Sequence, residues 1–76
     1  MDSMQLRSLV GKRVLVQFAS GSQIVGRIAK CLPDLGAVHL VEMENASLIS
    51  REGVLLRELP TYPFIPSDPS SVTKLE

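Results

Sequence analysis

The chain has a single cysteine and a single histidine, and that scarcity excludes several kinds of chemistry. A lone cysteine closes no intramolecular disulfide, and together with one histidine it is a poor start on a metal site, so neither metal nor cofactor is expected. A glycine-rich phosphate loop is missing too. Cys31 and His39, eight positions apart, form the one conceivable nucleophile and base, with no orienting acid in evidence, so enzyme activity is not expected. Cys31 reads instead as a small core or interface residue. No segment approaches the roughly 20 apolar residues that span a bilayer, and MDSMQLRSLVGKR lacks the apolar run of a signal peptide. A soluble cytoplasmic protein without membrane contact is the expectation.

A chain of 76 residues fits one domain with a thin core, burying only about 60% of its unfolded surface. Self-association is the cheapest extra support. Formal charge is zero but unevenly distributed: residues 1–30 carry Arg7, Lys12, Arg13, Arg27 and Lys30 against Asp2, a net +4, and residues 31–76 carry a net −4. Such a split suits an anionic partner or pairing between copies, and it equally fits an ordinary solvated surface.

Asp2 or Ser3 can cap a short helix, on which Leu6, Leu9 and Val10 make one apolar stripe that Gly11 ends. RVLVQF then alternates with the period of a strand, and ASGSQ supplies the small residues of a reversal into IVGRIAKCL. Gly26 inside that second run marks a bulge, a bend or a close backbone approach. After PDLG, the run AVHLVEM predicts a third strand. EN reads as a tight reversal into a short fourth strand, Ala46 to Ser50, and SREG as the turn into a fifth, Val54 to Leu59. The fold class expected is all-β: a short N-terminal helix followed by a five-stranded, strongly bent antiparallel barrel of the SH3-like kind.

In LRSLVGKRVLVQFASGSQIVGRI the helix, glycine-ended turn, alternating strand, small-residue reversal and mid-strand Gly26 resemble the Sm-like proteins (Sm, LSm and Hfq) in order and spacing. The resemblance runs from Leu6 to about Leu59. It implies a ring of subunits in which the fourth strand of one pairs with the fifth of the next, here Ala46 to Ser50 and Val54 to Leu59, and single-stranded RNA as the ligand. An uncharged, proline-free run such as ASLIS suits edge pairing.

RNA-binding members of that family carry aspartate, two residues, then methionine-asparagine in the loop between strands two and three, and arginine-glycine between strands four and five. This chain departs from both patterns. Its loop acid, Asp34, is out of register, Gly36 and Ala37 replace the methionine-asparagine pair, and Ser50 and Arg51 occupy the arginine-glycine positions. Arg51, Asp34 and His39, which sits in the third strand by this reading, are the candidate RNA contacts; Gln5, Arg7 and Lys12 form a second candidate surface on the helix face.

The barrel is expected over residues 1–60 and a proline-rich extended tail over 61–76. Pro60, Pro63, Pro66 and Pro69 recur at the three-residue period of polyproline II, and the last residues are expected to fray. Two functions are open: an RNA-binding Sm-like ring, or an oligomeric scaffold or protein-binding module of the same fold.

Overall fold

The computed structural model describes residues 2–75. Helix α1 spans Ser3–Ser8 and is fixed at its start by reciprocal bonds: the Asp2 carboxylate accepts the Gln5 amide at 2.8 Å, and Gln5 Oε1 accepts the Asp2 amide at 3.1 Å. Leu6 and Leu9 enter the core. Val10 does not continue the stripe, because it lies past the helix end and its backbone bridges Ile28 instead.

Five antiparallel strands follow: β1 Arg13–Gln17, β2 Gln23–Leu32, β3 Leu40–Ile49, β4 Leu55–Phe64 and β5 Ser71–Lys74. They form one sheet in the order β4-β3-β2-β1-β5, so β4 and β5 are its two edges. The alternation read from the sequence holds. Val14, Val16, Ile24, Ile28, Val41 and Met43 point inward to a core that Leu6, Leu9 and Phe64 complete. Truncating the fully buried Met43 to alanine is expected to cost about 2–5 kcal/mol, read as a lower denaturant midpoint at unchanged m-value.

Three irregular residues lie at one level across the sheet and bend it. Gly26 interrupts the β2–β3 register between Val25 and Arg27, and a Cβ there would meet Ala46 Cα and Glu44 O at 3.1 Å. Gly26 therefore marks the close backbone approach expected of it. Opposite, Asn45 adopts φ +51°, a left-handed conformation that asparagine tolerates better than most residues, and in β4 Pro60 stands where the β3–β4 pairing skips from Ala46–Leu59 to Glu44–Thr61.

This bend corrects the strand boundaries. EN is not a reversal; the chain continues through it, so the expected third strand and Ala46 to Ser50 are one ten-residue strand, β3. Ala46 to Ser50 and Val54 to Leu59 pair with each other inside one chain, through Ala46–Leu59, Ser47–Glu58 and Leu48–Arg57. Past residue 60 the chain is not a polyproline tail: Thr61, Tyr62, Pro63 and Phe64 extend β4 along β3, and SVTK, in the segment expected to fray, forms β5 against β1. Proline is tolerated in β4 because an edge strand, or a point where pairing is already broken, spares some amides from the ladder.

Candidate nucleic-acid interface

Register decides which loops are neighbours. Leu32 pairs with Leu40 and Val41 with Phe64, so the β2–β3 loop, residues 33–39, and the start of the β4–β5 connection, residues 65–70, leave the same end of the ladder. At the other end Gln23 pairs with Ile49 and Ile49 with Leu55, which places the β1–β2 turn beside the β3–β4 turn.

Asp34 is exposed in the β2–β3 loop. His39 is exposed as well, and it belongs to that loop rather than to a strand: β3 starts one residue later, and the His39 amide donates to the Leu32 carbonyl at 2.8 Å, closing the loop. Both residues thus stand on one loop. Arg51 does not join them. It lies in the β3–β4 turn at the opposite end, its side chain laid across Gly21, where an added Cβ would be 3.0 Å from Arg51 Cγ. The connection between the fourth and fifth strands is Ile65 to Ser70, which contains neither arginine nor glycine and whose one charged residue is Asp68.

The helix-face group divides in the same way. Gln5 is engaged in the cap, and Lys12 is exposed just before β1. Arg7 turns inward, and its Nη2 donates to the carbonyl of Pro33 at 3.0 Å and to that of Gly36. Its Nε is buried without a partner. Burial pushes the Cys31 thiol up, and the Arg7 cation partly offsets this. Among the described residues no group of three or more histidine, cysteine or acidic side chains is arranged to hold a metal ion.

At the edge of the sheet, Val54, Leu55 and Leu56 are 58%, 56% and 58% exposed. Leu55 and Leu56 are consecutive in β4 and so point to opposite faces, which leaves this end of the strand uncovered on both. A recess lined by Asn45, Ala46, Ser47, Glu58, Leu59 and Pro60 lies beside it. Sequence reasoning placed an assembly strand here but missed Asp68 and the inward turn of Arg7. The first needed the true β4–β5 boundary, and the second depends on contacts between residues 26 and 29 positions apart.

Neither a protein-family model nor a curated protein matches the sequence. Solved structures do match. An Sm protein of Pyrococcus abyssii, solved in complex with a uridine heptamer, superposes with a TM-score of 0.75 at 17% identity, covering 93% of each chain. A heptameric archaeal Sm protein gives 0.74 at 18% identity over 97% of this chain and 100% of the other. An Sm-like protein of Archaeoglobus fulgidus gives 0.69 at 18% identity over 92% and 88%. The chain has the Sm fold. In an Sm fold the numbering of strands matters, because the two strands that the resemblance assigns to assembly, the fourth and fifth, are here the two free edges of the sheet. Among the described residues no helix is long and apolar enough to cross a membrane.

Proposed function

We propose that this chain is the subunit of a closed homo-oligomeric ring that binds single-stranded RNA. The observation that carries the reading is the pair of unpartnered edges on one Sm-fold sheet: β4, which opens with the exposed Leu55 and Leu56 right after exposed Val54, and β5, a short strand without proline. Adding β5 of one copy to β4 of the next satisfies both edges, and a head-to-tail contact that closes on itself leaves no edge free. Two structural neighbours of this fold are heptamers, and another was solved with a uridine heptamer.

In this reading the β2–β3 loop meets RNA, with His39 stacking on a base and Asp34 accepting from a base edge. Arg51 and Lys12 supply positive charge elsewhere on the ring. Labelled U-rich and A-rich single-stranded RNA, titrated at low and at near-physiological salt and followed by anisotropy, tests it. Saturable binding that prefers one RNA is expected, and His39→Ala should cost about 1–3 kcal/mol, the worth of one base–aromatic stack. No binding, or weak binding that salt abolishes for every RNA, overturns the RNA assignment.

A second reading, an oligomeric protein-binding scaffold, is favoured by one observation. The loops 33–39 and 65–70 carry the acids Asp34 and Asp68 and neither lysine nor arginine, a charge balance that repels phosphate. RNA titration without binding, from a protein that assembles, selects this reading.

A further inference from the structure

We propose that Arg7 is a positioning residue that clamps the β2–β3 loop onto α1 and holds it in the shape that meets the ligand, without itself touching phosphate. The ligand part of this inference rests on the RNA reading above; the clamp does not.

Loop hydrogen bonding carries the inference. Within residues 33–39 the chain makes two backbone-amide bonds, Val38 to Ser3 Oγ at 2.8 Å and His39 to the Leu32 carbonyl at 2.8 Å. The amides of residues 34–37 have no acceptor among the described residues. Arg7 supplies the other two tethers, to the carbonyl of Pro33 just before the unsupported stretch and to that of Gly36 within it. Without them the loop between its two ends has no internal bond, and Leu35 at its tip, 86% exposed, adds no packing.

The guanidinium is committed to this task. Its Nε is already buried with no acceptor, a cost that a side chain free to swing toward solvent would not bear. Arg7 forms no ion pair among the described residues, so no carboxylate draws it to where it sits; carbonyl oxygens do. Both tethers leave from one nitrogen, Nη2, so what the loop requires is a single cationic donor at that point.

Cys31 is a built-in reporter. It is the only cysteine, 6% exposed, one residue from the end of β2 and within the field of Arg7. The test compares wild type with Arg7→Met, which keeps the aliphatic stem and removes the donors, and Arg7→Lys, which restores a cation with three donors. Three quantities are read: the rate of Cys31 modification by a disulfide reagent, amide exchange of residues 34–39, and RNA affinity against salt. In Arg7→Met, thiol modification and loop exchange should rise about tenfold or more while core strand amides stay protected, and Arg7→Lys should restore most of the protection. Loss of the Arg7 charge by itself would slow the thiol, so an acceleration reports opening of the loop. RNA affinity should fall several-fold with the slope of log K against log salt unchanged, because no phosphate contact has been lost.

Unchanged thiol and exchange rates in a folded Arg7→Met protein overturn the clamp. A salt slope reduced by about one charge overturns the claim that Arg7 does not touch phosphate. Should Arg7→Met fail to fold, the comparison rests on Arg7→Lys, whose loop must stay protected for the clamp to stand. Wild-type protein that binds no RNA sinks the RNA reading alone, since the thiol and exchange measurements still decide the clamp.

Discussion

Replacing Leu55 and Leu56 together with glutamate is expected to convert the assembled protein into monomers that keep the fold. Both side chains are more than half exposed in the single chain, so the substitution removes almost nothing from the core. In a ring they lie at the edge that β5 of the next copy would join. Each leucine there gains roughly 1–2 kcal/mol on being covered, and each added ladder hydrogen bond about 1 kcal/mol. Two carboxylates reverse that balance, because burying them without partners costs several kcal/mol at every interface of the ring. Native mass spectrometry should show one oligomer for wild type and monomer for the double variant, with superimposable far-ultraviolet circular dichroism. A wild-type monomer would refute the ring, and a variant that still assembles would move the interface away from β4.

Gly26→Val should be strongly destabilising even though it removes no core contact. The new Cβ would sit 3.1 Å from Ala46 Cα and Glu44 O and 3.2 Å from Met43 Cε, and two of those three atoms are backbone. A flexible side-chain tip can move aside; a neighbouring strand moves only by loosening the ladder. Overpacking of this kind costs about 1–3 kcal/mol, and the two further methyls of valine place it at or above the top of that range, with alanine near the bottom. In a domain of this size about 3 kcal/mol corresponds to a fall in Tm of roughly 12 °C or more. A fall of less than about 4 °C would mean that β2 and β3 can part at the bend without cost.

The two cases differ in how far the sequence foretold them. Gly26 was legible because a glycine breaking an alternating apolar strand has few uses, and one of them, close approach of a neighbouring backbone, is what it does. The β4 edge was half legible. VLLREL alternates like any strand, and nothing local to it reveals that both of its faces are open. The break expected at Asn45 came from reading a turn-forming residue as a turn; in place it takes one left-handed step inside a strand whose partners on both sides continue. Pro60 and Pro63 ended the predicted strand for the same reason, since proline excludes a central strand but not an edge one. Misplacing those boundaries carried Arg51 into the loop that belongs to Ile65 to Ser70, and so to the wrong end of the sheet.

By itself the sequence determined the local parts: a capped N-terminal helix, the inward and outward alternation of β1 and β2, and the glycine at the bend. These depend on neighbours a few residues away, and the residue types at those positions suffice. Only the tertiary structure decided which strands are edges, that the last strand returns to β1, and that Arg7 faces loop carbonyls instead of solvent. Pairing and docking join segments tens of residues apart, and a side chain's partner across the sheet is set by register, a property of two strands at once that neither one encodes alone.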